Sequence, residues 1–163
     1  MKHVDEELVE YALRLEHAGA GEKERFFALL QEFTGTPYVK GGTSIDYADC
    51  SGTVCAALNA LLHKDIRTTA HGLYTSVFTK PFRQQDSIHA VFFLNSEHRA
   101  VHVAGYIGEG LYLNESSDEP NKCGTVRTVA QLRRLYPSFL MVRPAVVIVL
   151  VSSSILIPLD TRP

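Results

Sequence analysis

A cysteine at position 50 sits in Asp49-Cys50-Ser51-Gly52, directly ahead of the apolar run Thr53-Val54-Cys55-Ala56-Ala57-Leu58-Asn59-Ala60-Leu61-Leu62. A sulfur at the start of a helix faces orphan N–H groups and the positive end of the helix dipole, and both favour a thiolate. Further along come His102 and Asn114, twelve residues apart. An imidazole to take the thiol proton and a polar group to orient that imidazole are what a cysteine nucleophile needs. Together the three residues point to acyl transfer through a thioester.

Two residues twelve apart cannot meet along one strand. The Gly108-Glu109-Gly110 turn solves this by folding Ala100–Ile107 back on Leu111–Asn114, which makes His102 and Asn114 neighbours across an offset strand pair. The imidazole would accept the Cys50 proton, or hold an ion pair with the thiolate, and later protonate a departing amine. Asn114 would accept the second imidazole N–H through its carbonyl oxygen. The other cysteines have plainer contexts: Cys55 reads as a core thiol on the helix and Cys123 as a loop thiol.

The elements that must carry this site follow from periodicity. Leu8, Ala12 and Leu15, then Phe26, Phe27, Leu29, Leu30 and Phe33, recur at helical spacing on either side of His17-Ala18-Gly19-Ala20-Gly21. Thr34 to Tyr47 reads as a loop feeding the Cys50 helix, and Thr69 to Phe78 as a short helix ended by Pro81. Strands are expected at Ala90–Leu94, Ala100–Ile107, Leu111–Asn114 and Phe139–Arg143, with a helix at Val129–Leu135. Helices first and then an antiparallel sheet make an α+β domain in which N-terminal helices pack on a central sheet. The apolar run from Ala145 to Val151, β-branched over most of Val146–Val151, predicts a further buried strand or a segment packed across the N-terminal helices, with Ile155–Leu159 covering a sheet edge; the alternative is a surface that meets a protein partner or a membrane.

Whole-chain properties narrow the function. With 16 basic and 18 acidic side chains and a formal charge of -2, the 163 residues offer no case for nucleic-acid binding. The three cysteines lack the spacing of a structural zinc site, so neither metal nor cofactor is expected. The charged start, Met1-Lys2-His3-Val4-Asp5-Glu6-Glu7, lacks the apolar core of a secretory signal, which predicts a cytoplasmic protein, export by another route, or a leader absent from this chain. The apolar C-terminal stretch is too interrupted for a transmembrane span.

Gly35-Thr36-Pro37-Tyr38-Val39-Lys40-Gly41-Gly42-Thr43, followed by Asp49-Cys50-Ser51-Gly52, resembles the signature of the NlpC/P60 cysteine peptidases of bacterial cell walls. Arg67-Thr68-Thr69-Ala70, the strand around His102 and the segment from Phe139 to Pro144 resemble later blocks of the same family. The resemblance implies a papain-like fold in which residues 1–28 form a helical support, 29–144 the catalytic domain and 145–163 an apolar extension on it. It implies Cys50 as nucleophile, His102 as base, Asn114 as third polar residue and Tyr38 as the hydroxyl that helps to hold the oxyanion. Asp49 and Ser51 correspond to residues that contact substrate, and Lys40 replaces a common aromatic residue and would shape the groove. The implied reaction is hydrolysis of γ-D-glutamyl-diamino acid bonds in peptidoglycan stem peptides or muropeptides. The alternatives are an amidase or acyltransferase acting on another substrate, or a non-catalytic module of a phage tail or secretion assembly.

Overall fold

The computed structural model describes residues 3–146. Its first elements are two helices, α1 (Glu6–His17) and α2 (Glu22–Gln31). Asp5 caps α1 by accepting the N–H groups of Glu7 and Leu8, and its second carboxylate oxygen takes Ile45 N–H, tying the helix start to the loop ahead of the cysteine. Leu8 and Ala12 of α1 and Phe26, Phe27, Leu29 and Leu30 of α2 are the buried stripes expected from their spacing. Each fully buried side chain of this size contributes about 1.5–3 kcal/mol of apolar transfer.

The loop expected from Thr34 to Tyr47 contains a small hairpin, β1 (Thr43–Ser44) with β2 (Tyr47–Ala48). It delivers the chain to α3 (Cys50–Leu62), which is buried without interruption from Ser51 to Leu61. Burial all round explains its composition: Val, Ala, Leu and Cys fill a helix with no solvent face. The helix α4 (Ala70–Ser76) starts one residue later than expected, because Thr69 caps it by accepting Gly72 N–H, and it ends two residues earlier, at the C-cap Val77. Its Tyr74, with Phe78 just beyond, packs on Phe92.

A five-stranded antiparallel sheet follows, built from β3 (Ala90–Leu94), β4 (Ala100–Gly108), β5 (Leu111–Glu115), β6 (Gly124–Thr128) and β7 (Leu140–Val142), in the order β6-β5-β4-β3-β7. All five positions of β3 are buried, so both faces of the sheet centre are covered. Gly105 of β4 lies against Leu30 of α2 on one face, while α5 (Val129–Leu135) and Tyr136 after it cover part of the other. This is the α+β arrangement read from the sequence. The strand β6 was not anticipated: Gly-Thr-Val-Arg-Thr has no apolar run, because it is an edge strand with only Gly124 buried.

Two segments near the sheet ends close its margins. His89, just before β3, is fully buried, stacked on Tyr106 and hydrogen-bonded to Tyr112 Oη at 2.8 Å. That burial lowers its pKa to about 4 and keeps the ring neutral. Of the expected C-terminal strand, Ala145 is buried and bridges both Lys80 and His89, and Val146 N–H reaches Ile88 O. Residues 147–163, with the rest of that expectation, lie outside the described residues.

Backbone meets backbone closely between α3 and the loop before it. A Cβ at Gly52 would run into the carbonyl oxygen of Gly42, and one at Gly42 would meet Tyr47 O at 2.6 Å. Both obstacles are backbone and cannot rotate away. Gly52→Ala is therefore expected to cost about 1–3 kcal/mol or more through overpacking. Urea unfolding of the variant checks this, and a wild-type midpoint would contradict the close approach.

Candidate active site

Cys50 is the first residue of α3, and Asp49 is its N-cap, accepting Gly52 N–H at 2.7 Å. The Asp49 carboxylate also accepts Gly41 N–H at 2.7 Å and pairs with both oxygens to Arg67 Nη2 at 3.0 and 3.1 Å. Ser51 Oγ donates to Asp49 and accepts from Arg67 Nη1. Asp49 and Ser51 are thus buried and engaged with Arg67, and neither lines the cleft in front of the sulfur. Lys40, the third residue expected to touch substrate, is exposed on the preceding loop and also lies outside that cleft's lining.

The cleft, about 280 Å³, brings together Cys50, His102 and Tyr38 with Ser116, Asp118 and Tyr136. Gly105 pairs with Leu113, so His102 and Asn114 fall on one face of the sheet as diagonal neighbours. His102 Nε2–H donates to Asn114 Oδ1 at 2.6 Å, in the sense assigned by Asn114's other partners. Asn114 Nδ2 donates to Glu119 Oε2 at 2.7 Å and, more distantly, to Tyr136 Oη. With Nε2 so occupied, Nδ1 is the imidazole nitrogen left for the thiol. The ring is held between Phe93 and Tyr136, whose centroids are 5.7 and 4.6 Å away.

Burial sets the protonation of the pair. It pushes the Cys50 thiol up to about 11, against the lowering effect of the Val103 and Ser51 backbone N–H groups and of Arg67, while Asp49 raises it further. The thiolate expected from the helix N-terminus is therefore outweighed in the free protein. Burial also lowers the pKa of His102, opposed by Asn114, Asp118 and Glu119. The resting pair is neutral thiol and neutral imidazole, an arrangement suited to a base that takes the proton as the sulfur attacks.

Arg67, Glu115, Glu119 and Tyr136 were not picked out by spacing. Glu115 is fully buried, neither carboxylate oxygen has a hydrogen-bond partner among the described residues, and Oε1 lies 2.9 Å from where a Gly124 Cβ would stand. Burial, with Asp49 and Cys50 nearby, raises its pKa to about 8. A glutamate at the end of a strand carries no periodic mark of such a position. Among the described residues no cluster of His, Cys, Asp and Glu is suited to a metal ion, and no helix is long and apolar enough to cross a membrane.

Residues 35–136 match the model of the NlpC/P60 family. Over 104 residues the chain is 33% identical to the probable endopeptidase YafL of Escherichia coli K12, covering 60% of this chain and 39% of that protein. Among solved structures, NlpC2 from Trichomonas vaginalis aligns with a TM-score of 0.60 at 21% identity over 77% of this chain and 46% of that one. The NlpC/p60 domain of the peptidoglycan hydrolase SagA aligns with a TM-score of 0.56 at 21% identity over 74% of this chain and 95% of that domain. The chain therefore spans less than half the length of YafL and of NlpC2.

Two measurements check the electrostatics. Alkylation of Cys50 by iodoacetamide should climb about tenfold per pH unit well above neutrality, since the thiolate is the reactive form and its folded-state pKa is about 11; a plateau reached by pH 7 would contradict it. For Glu115, the folded protein holds the proton up to about pH 8, whereas the unfolded chain releases it near 4.5. The unfolded state thus binds fewer protons between those values, and stability falls as pH rises through that window. Glu115→Gln should remove that fall, a difference on the order of a few kcal/mol near pH 8 and little at pH 4, read from thermal melts across the range.

Proposed function

The chain belongs to the NlpC/P60 family, and on that premise we propose that it is a cysteine hydrolase of amide bonds in bacterial cell-wall stem peptides, acting through Cys50, His102 and Asn114. The observation that carries this reading is the convergence of Cys50, His102 and Tyr38 on one cleft, with His102 anchored by Asn114 behind it. Two similar proteins, the probable endopeptidase YafL and the peptidoglycan hydrolase SagA, support the reaction and the substrate class. The γ-D-glutamyl-diamino acid bond is the favoured target.

In the proposed cycle His102 Nδ1 takes the Cys50 proton as the sulfur bonds to the substrate carbonyl carbon. The oxyanion is met by the Cys50 and Ser51 backbone N–H groups at the head of α3 and by the Tyr38 hydroxyl, whose own pKa is raised by burial and the surrounding negative groups, so that it stays a donor. Collapse breaks the carbon–nitrogen bond while the His102 imidazolium gives its proton to the leaving amine. Water, deprotonated by the same imidazole, then cleaves the thioester and returns the proton to sulfur. Asp49 and Ser51 act in this scheme by fixing the helix start, and the exposed Lys40 side chain on the preceding loop would favour an acidic stem peptide.

Digestion of purified muropeptides, followed by mass spectrometry, tests the reading. Wild-type protein under reducing conditions should split the stem at the γ-D-glutamyl bond, and Cys50→Ala should leave it whole. Because burial lowers the His102 pKa, the base stays neutral into mildly acidic solution, and kcat/KM should persist below pH 6.5 before it declines. Intact stems with the wild type, or cleavage undiminished by Cys50→Ala, would overturn the assignment.

A further inference from the structure

The polar chain behind the imidazole does not stop at Asn114. We propose that Glu119 is a positioning residue for the reaction: locked in place by Arg127, its carboxylate fixes the Asn114 carboxamide with the oxygen toward His102 and stabilises positive charge on the imidazole. This rests on the reading of Cys50, His102 and Asn114 given above.

An asparagine side chain can sit in two orientations that differ only by exchange of oxygen and nitrogen. Here both neighbours on the far side are acceptors. Glu119 is buried, and its carboxyl takes Nε and Nη2 of Arg127, so it has oxygen to offer and no proton. Tyr136 gives its hydroxyl proton to Ser116 Oγ at 2.8 Å and therefore presents a lone pair to Asn114. Reversing the amide would set its oxygen against the carboxylate and its NH₂ against the Nε2–H of His102. The observed orientation holds the proton on Nε2 and leaves Nδ1 free, the tautomer that a base facing Cys50 requires.

Charge supplies the second half of the effect. Burial would raise the Glu119 pKa, but hydrogen bonds from Arg127 and Asn114 outweigh it and hold the carboxyl below the usual range, so it is ionised at neutral pH. The negative end of the Glu119–Arg127 pair points at the amide and the positive end away from it. An imidazolium formed at His102 during turnover thus meets a carboxylate one amide away. The other groups around that ring are Asp118, Tyr136 and Ser116 on the segments beyond β5, Phe93 on β3, and Cys50 and Tyr38 across the cleft, with Asp49 and Arg67 behind Cys50.

A purely structural staple would hold the turn around Glu119 against β6 and leave the titration of His102 alone. Glu119→Gln, which keeps the shape and removes the charge, separates the two roles. In the full-length protein it should lower kcat about 10- to 100-fold, the range typical of lost outer-layer support, with KM nearly unchanged. The NMR titration of His102, followed through isotope-labelled histidine, should move to lower pH, and Glu119→Asp should return part of both effects. In an Asn114→Ala background, Glu119→Gln should add little, because it acts through the amide. Wild-type kcat with an unmoved His102 titration, or an undiminished further loss in that background, would overturn the proposal. If Glu119→Gln does not fold, Arg127→Lys, which loses the planar fork but keeps a charge, must shift His102 in the same direction, and an unmoved titration there is equally fatal. The titration needs no substrate: a wild type inert on muropeptides but with a Glu119-dependent His102 would sink the proposed function and leave this inference standing.

Discussion

The carboxylate of Asp49 accepts hydrogen bonds from the loop before it, the helix after it and the segment beyond that helix. Gly41 N–H, Gly52 N–H, Ser51 Oγ–H and the Arg67 guanidinium all converge on its two oxygens. A carboxylate this buried is tolerated only when its lone pairs are answered, and removing one partner of such a pair commonly costs about 3–5 kcal/mol. The answer here joins three stretches of chain at the point where the sulfur is displayed. Everything the cleft can do depends on that clamp, since Cys50 takes its height and direction from the first turn of α3.

The same burial that makes the clamp strong works against a standing thiolate. The helix N-terminus, two backbone N–H groups and Arg67 favour negative sulfur, yet desolvation and the neighbouring Asp49 charge win and place the thiol near 11. His102 is shifted downward for the same reason. In the proposed cycle the proton of this neutral pair moves only when a carbonyl arrives to accept the sulfur. The cost then falls on the imidazolium that appears at that moment, which is where Asn114 and the polar chain behind it would act.

Much of this was legible in the sequence for a definable reason. The stripes of α1 and α2, the β-branched strands around His102 and the Gly108-Glu109-Gly110 turn are local signals, and they placed the helices and three central strands within a residue or two. The motif around Cys50 marked the loop–helix junction and, through the family resemblance, Tyr38. What escaped were features decided by partners distant in the chain. The edge strand β6 is polar because past Gly124 its outer side has no named strand beside it. His89 is buried because Tyr106 and Tyr112 surround it, and Glu115 because Gly124 and the α3 terminus close over it. Asp49 and Ser51 read as substrate contacts, yet their atoms face Arg67, a residue whose position in the chain gives no hint of the pairing.

The edge strand that the sequence conceals also determines when the cleft can exist. Gly35 and Tyr38 donate to the carbonyls of Gly124 and Lys122, and Gly124 donates back to Thr36, so the stretch ahead of the cysteine finishes the outer margin of the sheet. Those bonds join the beginning of the domain to a point near its end. Contacts of such high sequence separation reward the chain only after a long loop has closed. During synthesis the sulfur, its helix and the Tyr38 wall all emerge well before Gly124 does, and they have no edge to fasten to until it arrives. A growing chain is thus kept by topology from closing the cleft until the edge strand has emerged.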